Sequence, residues 1–136
     1  MAGEIKVRKN WLRGMYIYTI VGAGMLGLGI IIMPGTIKSL FGWPNGDPIP
    51  LGIVGCIYAA MGILSILGIR SPLKFSPVLL LQLFYKSIWF IGVAIPLLVT
   101  GQFPAHGTVF AVIFATYIIG DLIAIPFAYL FAKPAE

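Results

Sequence analysis

Four stretches of this chain, at about 14–33, 51–69, 77–99 and 108–131, are apolar over the roughly 20 residues a helix needs to cross the hydrocarbon core of a bilayer. Tails and short connections make up the rest, so no soluble domain fits beside the spans. The charge content agrees. Only 10% of the 136 residues are charged, against about 25% in soluble domains. The expected fold is all-α: a single transmembrane domain over residues 1–136, an integral membrane four-helix bundle.

The net charge of +5 raises the possibility of nucleic-acid binding, and its distribution argues against it. Lys6, Arg8, Lys9 and Arg13 precede the first span, Arg70 and Lys74 separate the second and third, and Lys133 follows the fourth. In a four-span topology all of these fall on one side. Lys38 alone falls on the other, and Lys86 lies within a span. The positive-inside rule places both termini in the cytoplasm, with anionic headgroups as a further attraction. The expected location is a bacterial inner membrane, with no nucleic-acid partner. The first span ends in Met33-Pro34-Gly35 rather than a small-residue cleavage site, so it reads as a retained anchor. The single cysteine, Cys56, makes no intrachain disulfide or metal motif and is expected to be a small packing residue.

Small residues recur along the spans. Gly22, Ala23, Gly24, Gly27 and Gly29 lie in the first; Gly52, Cys56 and Ala60, beside Gly55 and Ala59, in the second; Gly120, Ala124 and Ala128 in the fourth. Such spacing lets helix backbones approach closely in lipid. The alternative for the first span is a groove that admits a flat ligand or a lipid tail. The first outer connection, from about Pro34 to Pro50, begins with PGTIKSLFGW. Its Ile37, Leu40 and Phe41 share one helical face, and Trp43 follows as an interface anchor. This predicts a short interfacial helix, and the following WPNGDPIP predicts a loop.

Two charges lie deep inside spans, Lys86 and Asp121. From the expected boundaries and the helical rise, Lys86 is ~14 Å and Asp121 ~15 Å from the cytoplasmic ends of their spans. A short connection makes the third and fourth spans neighbours, so a Lys86–Asp121 pair is geometrically cheap. Each alone costs ~3 kcal/mol at a helix centre. Gln82 lies one turn from Lys86 and Tyr117 one turn from Asp121, with Tyr85, Ser87 and Trp89 nearby. Tyr16, Tyr18 and Thr19 lie on the cytoplasmic half of the first span, and Gly22 and Gly24 leave space at about the depth of the pair. Together they predict a polar pocket near the membrane centre, opening toward the cytoplasmic half. The pocket supports three readings: a buried salt bridge that fixes helix docking, whose specificity role is case-dependent; a head-group site for a lipid-, quinone- or sterol-like molecule; and a proton- or ion-coupled transport site.

Other chemistry is sparse. His106 is the only histidine and is expected in the outer turn as a solvated residue. One histidine and one cysteine hold no metal or haem, and there is no GxSxG, phosphate loop or CxxC. The balance leans away from an enzyme, and no cofactor or metal is expected.

The length, the four spans and the segment PGTIKSLFGWP at 34–44, with YKSIW at 85–89 and GDLIAIP at 120–126, resemble the DoxX-like small four-span bacterial membrane proteins. Members of that group are linked to membrane redox complexes or have no assigned role. The resemblance implies an accessory membrane subunit and assigns no functional residue. The expected function is a non-enzymatic accessory or assembly subunit that binds membrane lipids and other integral membrane proteins, or a second copy of itself. The alternative is small-molecule binding, of a quinone- or lipid-like ligand, or proton-coupled transport. It uses Lys86, Asp121, Gln82, Tyr85, Tyr117 and Trp89.

Overall fold

A computed structural model of the protein describes residues 7–134; Lys6, counted above among the basic residues before the first span, lies outside them. The described residues are helical and contain no strand. Four helices are long and apolar enough to cross a membrane: α1 (Lys9–Ile32), α3 (Pro48–Arg70), α4 (Ser76–Val99) and α5 (Ala105–Ala124). Two short helices complete the described residues, α2 (Pro34–Phe41) and α6 (Phe127–Leu130).

Local chemistry explains the boundaries. Pro34 opens α2 at a position where its missing N–H costs nothing. Gly42, at φ 68°, closes it in the left-handed conformation, and the Trp43 N–H donates back to the Lys38 carbonyl at 2.9 Å. The Asp47 side chain caps α3 by accepting from the Ile49 N–H at 2.9 Å. Gly101, at φ 70°, turns the chain after α4, with the Gln102 N–H on the Leu97 carbonyl at 2.8 Å.

Two helices contain a widened π-helical turn, Ile20–Gly24 in α1 and Phe90–Ala94 in α4. The second immediately precedes the segment carrying Pro96, whose ring obstructs the preceding turn of a regular helix. Proline also shortens the fourth span. The expected segment ran to 131, but α5 stops at Ala124. Ile125 is extended (φ −67°, ψ 127°), as the residue before a proline prefers. Ala128 therefore leaves the ridge expected with Gly120 and Ala124.

α1 and α3 pack along a seam of small residues. A Cβ at Gly27 would stand 2.4 Å from the Ala59 backbone nitrogen and 2.6 Å from the Gly55 carbonyl oxygen; one at Gly62 would stand 2.6 Å from the Gly24 Cα. Only glycine permits this approach. The ridge of Gly52, Cys56 and Ala60, also expected to pack, faces away from the seam, and Cys56 is exposed. α5 packs on α4 and on the Lys9–Thr19 half of α1. Where α1 begins and α5 ends, Leu12, Met15, Tyr16, Leu79, Leu83, Tyr117, Ala124 and Ile125 form one buried cluster. The Arg8 guanidinium donates to the Ile123 carbonyl at 2.9 Å there, tying the start of α1 to the end of α5. This is the terminal end of the molecule; α2 and the Thr100–Pro104 turn mark the loop end.

Candidate functional site

The site begins with Lys86, on the interior face of α4 and 1% exposed. Its ammonium donates to Gln82 Oε1 at 3.1 Å, one turn back on the same helix. Gln82 Nε2 donates to Thr19 Oγ1 at 3.1 Å, and Thr19 donates to the Met15 carbonyl at 2.8 Å. All three side chains are buried, and the chain of bonds links α4 to α1. The ammonium also lies over aromatic faces, 4.0 Å from the Tyr117 centroid, 4.5 Å from Tyr85 and 5.4 Å from Phe114. Ring quadrupoles attract a desolvated cation by about 2 kcal/mol in favourable cases. A polar amide and three rings thus surround a charge that hydrocarbon would not solvate.

The direct Lys86–Asp121 ion pair is not made. Lys86 Nζ contacts Gln82, and neither carboxylate oxygen of Asp121 has a hydrogen-bond partner among the described residues. Asp121 is nevertheless fully buried. The matched depths assumed that the fourth span ran to 131. With the break after Ala124, Asp121 sits in the last turn of α5, closer to the terminal end. Tyr117 and Gly120 lie between its level and the loop end, and Gly120 packs on Met15.

Tyr117 organises this junction. Its ring stacks on Tyr18 at 4.0 Å with the planes 2° apart, and its hydroxyl donates to the Tyr18 carbonyl at 2.9 Å. The bare face of Gly22, in the π-helical turn, makes room: a Cβ there would meet the Tyr117 hydroxyl. Tyr18 and Thr116 hydroxyls bond at 2.6 Å. Such widened turns recur at functional sites because they re-aim side chains and free backbone groups.

On the loop side of Lys86 lies a cavity of about 350 Å³, within the size range of small-molecule sites. Lys86, Tyr85, Tyr117 and Phe114 form its floor; Val21, Met25 and Leu26 of α1 and Phe110 and Ile113 of α5 form its sides. Ile37 and Phe41 of α2 line the loop end. The pocket was expected to open toward the cytoplasmic half. Instead it extends toward the loop end, because Gln82, Thr19 and the Leu79–Leu83 cluster fill the space on the other side. It is also more apolar than expected, since Asp121 and Gln82 do not line it.

The six residues singled out from the sequence therefore divide. Lys86, Tyr85 and Tyr117 share the cavity; Gln82 supports Lys86 from behind; Asp121 lies outside the wall. Trp89 contacts Phe114 at 5.2 Å and lines a second cavity of about 410 Å³, on the far side of Tyr58, Tyr85 and Phe114. His106, expected to be solvated, is half-buried in the first turn of α5 and lines that second cavity. Sequence reasoning missed Phe110, Phe114 and Tyr58, and placed Phe41 on the interfacial helix without linking it to the pocket. The signal for two of them was present: Phe110, Phe114 and Tyr117 recur at spacings of four and three on one face of α5.

Among the described residues, no cluster of three or more His, Cys, Asp or Glu could hold a metal ion. The chain matches no protein-family model, no curated protein and no solved structure.

Proposed function

We propose that this chain is an integral membrane protein that binds an apolar, quinone- or lipid-like small molecule in the cavity at Lys86. One observation carries this reading: a buried ammonium forms the floor of an otherwise aromatic and aliphatic cavity and uses one of its three donors on Gln82. The four long helices form a bundle across the bacterial inner membrane with both termini cytoplasmic, in keeping with the basic residues at the terminal end. α2 then lies at the outer interface, anchored by Trp43. Binding is favoured over proton-coupled transport because packed side chains fill the space between Lys86 and the terminal end.

The test is native mass spectrometry of the protein released from mild detergent. An apolar small-molecule adduct on the wild-type chain, lost in Lys86→Met and retained in a folded Cys56→Ser control, supports the reading. A bare chain that gains no thermal stability from any apolar ligand overturns it.

A second reading, the accessory subunit that the DoxX-like layout implies, draws on one separate feature. The Gly52, Cys56 and Ala60 ridge lies in a groove with Ile30, Ile31, Pro34 and Ile49; Cys56 and Ala60 are exposed, and a Cβ at Gly52 would meet none of the described residues within 4 Å. Small-residue ridges of this kind dock partner helices in lipid. A stoichiometric membrane protein that co-purifies, and is lost in Ala60→Leu, supports that role.

A further inference from the structure

We propose that the occupant of the cavity is a lipid-dissolved single-chain amphiphile with a carboxylate head, the fatty-acid class, which enters sideways from the bilayer between α1 and α5. This proposal rests on the small-molecule reading above and adds the chemistry of the ligand and its route.

The polar part of the wall determines the head. The polar side chains that line the cavity are Lys86, Tyr58, Tyr85 and Tyr117. The Tyr117 hydroxyl is committed to the Tyr18 carbonyl. Lys86 has two ammonium protons beyond the one given to Gln82, and the hydrogen-bonded Tyr58–Tyr85 phenol pair leaves one further donor. Among the described residues no acidic side chain lines the cavity; Asp121, outside the lining, acts on Lys86 through space without a hydrogen bond to it. A wall that donates and carries one positive charge selects a head that accepts and carries one negative charge. A carboxylate on an ammonium makes the short, charge-assisted bonds that are roughly twice as strong as neutral ones. A cationic head would find phenol oxygens and ring faces there, but beside an ammonium that repels it.

The apolar part determines the tail and the entrance. The Lys9–Thr19 half of α1 packs on α5, whereas the Met25–Ile32 half packs on α3. The two helices therefore part beyond the π-helical turn, and the cavity lies in the resulting cleft. Val21 and Met25 on its α1 edge are 62% and 64% exposed. On α5, Val109 and Val112 beside it are exposed as well. These apolar lips face the medium of the spans, which is lipid. The loop end is covered: Phe41, Trp43 and Phe110 form a ring cluster with centroids 5.3–5.6 Å apart. An amphiphile thus reaches Lys86 most directly from the side, with its head inward and the rest of its chain trailing between α1 and α5. About 350 Å³ accommodates a head and part of a chain, not a two-chain lipid.

The test uses the full chain in nanodiscs with a diazirine-labelled palmitic acid, competed by unlabelled palmitic acid, its methyl ester or a short-chain quinone. Competable label is expected on the Val21–Leu26 and Phe110–Phe114 segments. The acid should compete at least about tenfold better than the ester, the value of one charge-assisted bond. Lys86→Met should abolish that preference and Lys86→Arg should keep it. Val21→Trp, at an exposed lip, should slow labelling without lowering the unfolding temperature. Equal competition by acid, ester and quinone overturns the carboxylate assignment while the small-molecule reading stands. Label insensitive to every competitor, with no thermal shift, overturns both. If Lys86→Met fails to fold, loss of the acid preference in Lys86→Arg likewise counts against the proposal.

Discussion

α1 meets two neighbours in opposite ways. Against α3 it is closed throughout: Tyr16 lies on Gly68, Gly24 on Gly62, and Gly27 between Gly55 and Ala59. Against α5 it is closed only over its terminal half, where Met15 packs on Gly120 and Tyr18 stacks on Tyr117. Beyond that level α5 presents Phe110, Ile113 and Phe114, and the helices stand apart around the cavity. Lipid is as apolar as leucine, so close packing rather than hydrophobic burial holds such helices together. Glycine on both partners at one level closes a seam; bulky rings on one partner keep it open.

The largest effects should come from the closed seam. Gly27→Leu places a side chain where backbone atoms already stand 2.4–2.6 Å from a Cβ, and backbone does not yield as a side chain does. The expected cost is about 3 kcal/mol or more, measured as unfolding in detergent or as loss of folded yield. A wild-type melting profile would break the contrast between the seams. Gly120→Leu, on the seam with α5, meets only the thioether end of Met15. Methionine adapts, so about 1–2 kcal/mol is expected. An equal loss at Gly27 and Gly120 would mean that the two seams are alike.

The small residues of these seams were legible in the sequence because their spacing is regular and glycine is costly elsewhere in a helix. Which ridge packs was not legible. Gly52, Cys56 and Ala60 have the same four-residue spacing as Gly55 and Ala59, and only the rotation of α3 against α1 separates them. The interior placement of Lys86 followed from the cost of charge in lipid. Its partner did not, because the break at Ile125–Pro126 moves Asp121 relative to the expected depth. Aromatic rings and an amide met the same electrostatic need. The cavity itself arises from the divergence of α1 and α5, a tertiary fact to which no single residue points.

The double-mutant cycle of Lys86→Met and Asp121→Asn sharpens the comparison at the point where the seam with α5 changes character. A directly bonded buried ion pair would lose about 3–5 kcal/mol when either partner is removed, and the double variant would recover most of it. With no hydrogen-bonded pair made, Asp121→Asn should cost less than that, and the cycle should show a coupling that is measurable, because the two charges act on each other through space, but well below the value for a direct pair. Lys86→Met should cost about 1 kcal/mol through the orphaned Gln82 oxygen. Strong recovery in the double variant would return the pair to a structural role and weaken the case for Lys86 as a ligand group.

The smallest effect belongs to the exposed ridge of α3. A Cβ at Gly52 meets no atom within 4 Å, so Gly52→Leu introduces no clash. It replaces a poor helix former with a good one, worth up to about 1 kcal/mol in favour of the helix. The stability of the isolated chain should therefore be unchanged or slightly raised, the reverse of Gly27→Leu at the same residue type in a similar sequence pattern. Assembly need not follow stability. If the exposed ridge receives a partner helix, Gly52→Leu should disrupt that complex while the chain itself melts no lower, as a co-purification and a melt on one preparation would reveal. If both association and melting are untouched, the ridge faces lipid alone, and glycine on α3 matters only where α1 presents glycine or another yielding surface opposite it.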